Sequence, residues 1–213
     1  MRFDGDLIYF QNSRGRRICQ LSHAYSNVES GQIVLASLRD GGHLLFVDHQ
    51  SKNITQVQHE HESVFGFHVS PNRQYIAHTG FNCCDEAYAG YLSIVEFGGD
   101  FERIYTTPGR LRWFSVLWVS DHELLISEFS QDTSFPCSDV GGAGKIYMLN
   151  VEIHEERNIR DDICGSIWLT DTSDDNIRFN RHVRTVDDTI LAEVCTMNLD
   201  GTGFLCMPLN GSR

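Results

Sequence analysis

Phe67-His68-Val69-Ser70-Pro71-Asn72-Arg73-Gln74-Tyr75-Ile76-Ala77 decides how this chain folds. A β-rich run from Val64 ends at Ser70-Pro71-Asn72, and a second run begins at Tyr75. Proline presets φ at a turn corner and asparagine tolerates left-handed backbone, so the stretch predicts two antiparallel strands joined by a tight turn. Two further stretches share this pattern. Phe114–Val119 turns at Ser120-Asp121 into Glu123–Ser127, and Phe179–Val186 turns at Asp187-Asp188 into Thr189–Glu193. A fourth, Ile33–Ala36, follows a less defined strand near Tyr25.

A second kind of hairpin recurs five times: Leu7–Phe10 to Ile18, Leu44–Val47 to Val57, Leu92–Val95 to Tyr105, Ile146–Leu149 to Ile159, and Cys195–Met197 to Met207. Turn residues such as Asn12-Ser13-Arg14-Gly15, Gly98-Gly99-Asp100 and Asp200-Gly201 join the strands. The hairpins begin at residues 7, 44, 92, 146 and 195, a spacing near that of a β-propeller blade. Sustained helical periodicity is absent. Residues 1–213 therefore read as a single all-β, propeller-like domain of about five blade units of antiparallel strands. The first unit lacks its inner strand pair. The chain thus closes as an unusual propeller or forms an incomplete part of a larger one, and an unclosed propeller offers a blade edge for assembly.

The Phe67–Ala77 stretch resembles the "F-x-x-S-P-D-G-x-x-I-A" inner hairpin of TolB-like and WD-repeat-like propellers, with Asn72-Arg73 in place of Asp-Gly. Met197-Asn198-Leu199-Asp200-Gly201-Thr202-Gly203 is similar to their outer hairpin. This likeness implies the fold and leaves the function open.

A formal charge of −12 disfavours nucleic acid and anionic membrane surfaces as partners. Arg14, Arg16 and Arg17 form the only tight basic cluster and read as a solvated hairpin tip. The amino terminus shows no signal-peptide pattern and no run is long enough to span a bilayer, which points to the cytoplasm. Seven cysteines in irregular spacing, with no C-x-x-C pair, read as reduced thiols, although Cys84 and Cys137 lie in adjacent loops and could pair.

Function is expected where long loops stand on a rigid scaffold. Residues 80–90 and 130–144 are such loops, carrying Asp85, Glu86, Tyr88, Asp132, Phe135 and Asp139, with Asp161-Asp162 and Asp171–Asp175 expected on the same face. Arg110 and Arg112 flank this set beside Trp113, and Trp113, Trp118 and Trp168 read as packing residues. The leading reading is a non-catalytic module binding a protein or a small or oligosaccharide ligand, with no cofactor. No nucleophile elbow, phosphate loop or spaced triad supports other chemistry.

Gln56-Val57-Gln58-His59-Glu60-His61 carries a competing reading. Histidines two apart in an extended segment project to one side and can share an ion. The Gln-x-x-His-x-His pattern before a Ser-Pro-Asn hairpin resembles the metal-binding stretch of oligogalacturonate lyases. That likeness implies a manganese-dependent (or other divalent-metal) lyase with Gln56, His59 and His61 as ligands and Arg110 or Arg112 near a uronate. Glu60 and Glu62 stand where that family is rich in proline. His68, His78 and His182 are candidates for a third histidine by position alone, and solvated loop histidines are the plainer account of His59 and His61.

Overall fold

The computed structural model describes residues 2–4, 7–9, 20–28, 31–38, 41–48, 50–51, 53–57, 62–82, 90–97, 101–107, 114–130, 137, 142–173, 175–185 and 187–209. Among these, every regular element is a strand. A hairpin of β1 (Arg2–Asp4) and β2 (Leu7–Tyr9) precedes four antiparallel four-stranded sheets, each paired in chain order. The first holds β3 (Gln20–Val28), β4 (Gly31–Leu38), β5 (Gly41–Asp48) and β6 (Ile54–Gln56). The second holds β7 (Glu62–Val69), β8 (Tyr75–Asn82), β9 (Gly90–Glu96) and β10 (Arg103–Thr106). The third is β11 (Phe114–Trp118), β12 (Glu123–Ser130), β13 (Ala143–Asn150) and β14 (Glu155–Cys164). The fourth is β15 (Ser166–Ser173), β16 (Asn176–Arg184), β17 (Ile190–Asn198) and β18 (Leu205–Pro208). Four complete units after a partial one match the expected repeat. Among the described residues, no helix is long and apolar enough to cross a membrane.

The turn that decided the fold forms as its sequence dictates. The Arg73 amide donates to the Ser70 carbonyl at 2.9 Å, while Ser70 Oγ accepts from the Tyr75 amide and donates to Asn72 Oδ1. Arg73 takes φ 64°, the left-handed corner that glycine fills in the related pattern.

Two expectations need correction. β2 pairs with β1, in the register Phe3↔Ile8, while the continuation from Phe10 to Ile18 lies outside the described residues. In the last sheet, Thr189–Glu193 and Cys195–Met197 are not two strands but parts of one, β17. No turn former separates them, so the ladder continues. The inner strand of that sheet is β15, whose polar run Thr170–Ser173 hid it because only Ile167 and Leu169 turn toward the core.

Strand alternation builds the core, because successive side chains point to opposite faces of a sheet. Leu44, Val57, Val64, Ile76 and Val95 fill the space between first and second sheets. There Phe46 and Phe97 meet edge to face at 5.3 Å. Ala77, Leu92 and Ile94 turn the other way, against Leu124, Ile126, Tyr147 and Leu149 of the third sheet. Leu125, Ile146 and Met148 of that sheet in turn pack on Ile177, Phe179, Cys195 and Met197 of the fourth. The second and third sheets are therefore apolar on both faces. Each fully buried Leu or Ile contributes about 1.5–3 kcal/mol relative to exposure. Trp118 is half-buried and stacks on Tyr75, and Trp168, on the far face of the last sheet, is 40% exposed.

Candidate functional site

β6 ends at Gln56 and β7 begins at Glu62, β8 ends at Asn82 and β9 begins at Gly90, β10 ends at Thr106 and β11 begins at Phe114, and β12 ends at Ser130 and β13 begins at Ala143. The register pairs Glu62 with Asn82, Phe81 with Gly90, Phe114 with Glu128, and Ser130 with Ala143, so these strand ends share one end of their sheets. The segments between them contain His59 and His61; Asp85, Glu86 and Tyr88; Arg110 and Arg112; and Asp132, Phe135 and Asp139. All ten of these residues, with Trp113, lie outside the described residues. Gln56 is described: it closes β6, pairs in register with Leu45, and is exposed.

One long segment is anchored at a described point. Cys137 is buried and bonded to Cys164, at the end of β14. The Gly142 amide donates to the Cys137 carbonyl at 3.2 Å, and the Gly165 amide donates to the Gly142 carbonyl at 2.9 Å. Gly165 holds φ +97°, and a Cβ there would lie 2.4 Å from the His182 carbonyl oxygen, so this junction accepts only glycine. Beneath it, Ser115 Oγ and Ser127 Oγ lie 3.0 Å apart, Ser127 Oγ donates to the Ile167 carbonyl, and Ser115 Oγ accepts from the Leu169 amide at 2.7 Å. These bonds join the inner strands of the third and fourth sheets. The Cys84–Cys137 pairing that the sequence left open is thus not formed: Cys137 bonds Cys164 instead. A second disulfide joins the cross-strand partners Cys195 and Cys206, so the expectation of reduced thiols fails at four of the seven cysteines.

A polar cluster that sequence reasoning missed lies near the same end, between the second and third sheets. Tyr147 donates to Glu128 Oε1 at 2.8 Å, and Lys145 Nζ stands 4.8 Å from the Tyr147 ring centre. Tyr105 of β10 donates across the gap to Glu156 Oε1 of β14 at 2.6 Å. Burial lifts the Glu128 carboxyl above its usual range, with the Tyr147 hydrogen bond and Lys145 opposing. Burial and the facing carboxylates lift both tyrosines as well. The alternation of Lys145 and Tyr147 on one strand was the available signal, but their partners come from elements far apart in the chain.

Other expected members of the acidic face separate. Asp171–Asp175 falls at the β15–β16 turn, at the opposite end of the fourth sheet, because β15 starts at Ser166 rather than at Phe179. There Asp175 lines an open crevice of about 420 Å³ with Arg157, Asn198, Leu199 and Asp200. Asp162 is engaged by Arg160 and Asp161 accepts from Asn158 at 3.2 Å. Of the three further histidines, His78 is fully buried edge-on to Tyr91, while His68 and His182 are exposed on different sheets.

As for metal ligands, the one group of three donors within 4.8 Å among the described residues is Glu193, Cys195 and Cys206. Its sulfurs form the disulfide and its carboxylate accepts from Arg181 at 2.7 Å, so it is not the ligand set expected. Gln56 is exposed, and an amide oxygen is a donor type that suits a hard divalent cation.

No protein-family model matches this sequence, and no curated protein matches it. Solved structures do. An oligogalacturonate lyase from Vibrio parahaemolyticus superposes with a TM-score of 0.58 at 13% identity, over 88% of this chain and 53% of that one. An oligogalacturonate lyase in complex with manganese gives 0.52 at 13% identity, over 88% and 59%. An acylaminoacyl peptidase from Pyrococcus horikoshii gives 0.53 at 12% identity, over 90% and 32%. The chain spans little more than half the length of the lyases. At these identities the likeness is one of fold: an all-β chain of propeller-like antiparallel sheets.

Proposed function

We propose that this chain is a non-catalytic propeller module that binds a protein, or a small or oligosaccharide ligand, at the end of its sheets bearing the 83–89, 108–113 and 131–141 segments. The observation that carries the reading is the anchoring of the longest segment. Cys137 fastens it to the junction of the third and fourth sheets, so a long loop stands on a rigid base. Loops so held lose less entropy on binding than free ones. Asp85, Glu86, Tyr88, Asp132, Asp139, Arg110 and Arg112 supply the contacts, and nucleic acid and membrane surfaces are not the partners of so acidic a chain. The cytoplasm is the proposed compartment, against which the two disulfides weigh. Affinity capture tests the reading with paired variants, Asp85→Ala/Tyr88→Ala and Asp132→Ala/Asp139→Ala. Loss of the captured ligand in either pair is expected, and retention in both would overturn it.

One observation favours a second reading. Two of the similar structures are oligogalacturonate lyases, and one is in complex with manganese. Under that reading Gln56, His59 and His61 hold a divalent metal, which would supply the positive charge that an acidic chain needs against a uronate. Metal analysis separates the two: stoichiometric manganese lost in His59→Ala supports the lyase, and metal-free protein indifferent to that change dismisses it.

A further inference from the structure

The group of metal-type donors at Glu193, Cys195 and Cys206 sits at the edge of the fourth sheet, on the side facing the third. Glu193 and Cys195 are two apart on β17 and so point the same way, and Cys206 of the edge strand β18 lies directly across from Cys195. The Leu209 amide donates to the Ala192 carbonyl, so hydrogen-bonded pairs fall at Ala192 with Leu209 and at Val194 with Met207. Cys195 and Cys206 therefore oppose each other at a non-hydrogen-bonded position, where side chains stand closest, with Cα atoms 4.1 Å apart. The ladder holds this spacing whether or not the sulfurs are bonded.

The two sulfurs and a carboxylate oxygen lie within 4.8 Å of one another. Both hydrogen bonds from Arg181 fall on Glu193 Oε2, which leaves Oε1 as the oxygen to offer an ion. Zinc takes thiolate sulfur at about 2.3 Å and carboxylate oxygen at about 2.0–2.2 Å, so its tetrahedral ligand atoms stand about 3.5–4 Å apart and side-chain rotation closes the difference. Charge agrees with this chemistry. With the disulfide closed, Glu193 and Arg181 offset each other; with two thiolates in its place, one divalent cation restores that balance. The group is thus neutral in both forms, as a buried setting favours. Cys195 is fully buried, but Cys206 is half-buried on the edge strand, which gives a small thiol access to its sulfur.

We propose that this group is a redox-gated zinc site: when the Cys195–Cys206 disulfide is reduced, Cys195, Cys206 and Glu193 bind one zinc ion, with water in the fourth position. Reduction takes two electrons and two protons from a dithiol, which closes to its own disulfide; zinc then displaces one proton from each thiol. Either the covalent bond or the ion ties β18 to β17, so the edge strand keeps a cross-link in oxidising and reducing surroundings alike. The site is separate from the loop end and from Gln56, His59 and His61, so it stands whichever ligand reading holds.

Zinc retained by the 213-residue chain after equilibrium dialysis, with and without a phosphine reductant, tests the proposal. Reduction should add one zinc per chain. That increment should persist in Cys137→Ser/Cys164→Ser and in His59→Ala, vanish in Cys195→Ser/Cys206→Ser, and bind about tenfold more weakly or worse in Glu193→Gln. Should the double serine variant misfold, Cys206→Ala, a single change on the edge strand, provides the same test. No increment on reduction, an increment kept without Cys206, or an affinity unchanged in Glu193→Gln would each overturn the proposal.

Discussion

Glu128 concentrates the electrostatics of the described molecule. Its carboxyl is half-buried between two sheets, and burial holds its proton to higher pH than the 4.5 of a free glutamate. A raised folded value favours the protonated folded state, so the contribution to stability is complete below 4.5 and is lost as pH rises through the folded value. Glu128→Gln keeps an acceptor for Tyr147 and removes the titration. Urea unfolding over a pH series should show the variant losing less stability than the wild type between acidic and neutral pH; parallel curves would refute this account. Gly165 sets a backbone test at the same scale. Gly165→Ala should cost about 2 kcal/mol or more, because the new Cβ meets a carbonyl oxygen in backbone that only glycine takes readily. Single residues were also where sequence said least. Cys84 and Cys137 fall in two successive long segments of the sequence, but disulfide bonding needs Cα atoms within about 4.4–6.8 Å. Cys164, 5.2 Å away, is brought there by a strand whose end the sequence did not mark.

At the scale of elements, what was legible followed turn chemistry. Ser70-Pro71-Asn72 and Ser120-Asp121 each close a hairpin at the expected place, because their side chains bond the turn backbone directly. β15 was illegible for the converse reason. Trp168 points outward, and the bulge at Thr170 then turns Asp171 outward beside Arg178, so a single apolar face is spread along a polar strand. The candidate loop end was legible as topology, whereas the cluster of Tyr105, Glu128, Tyr147 and Glu156 was not, since it joins four strands of two sheets. The Cys137–Cys164 bond gives this scale its prediction. It closes a stretch of 27 residues, for which loop entropy predicts a stabilisation of about 3.5 kcal/mol. Cys137→Ser/Cys164→Ser should lower the unfolding free energy by up to that amount and expose residues 131–141 to limited proteolysis, with the sheets left intact. Unchanged cleavage in that segment would show that the disulfide is not what anchors it. Alkylation of the native protein without reductant checks the covalent state itself, with protection expected at Cys137, Cys164, Cys195 and Cys206.

For the whole molecule, stability is a chain of neighbouring interfaces. Among the described residues, the core clusters join each sheet to the sheets beside it in sequence, so burial is greatest in the middle of the stack and least at the exposed flank. Leu124 and Leu125 are both fully buried, yet they serve different interfaces, one toward the second sheet and one toward the fourth. The fourth sheet has one such interface and one open face, with Leu205 and Met207 on its edge strand about 60% exposed. Local opening follows the loss of buried contacts, so amide hydrogen exchange should rank the elements. In this chain, β12 and β13 should exchange most slowly and β17 and β18 many times faster. Exchange in β17 as slow as in β13 would mean that the fourth sheet draws its stability from within itself, and the stack would no longer account for the fold.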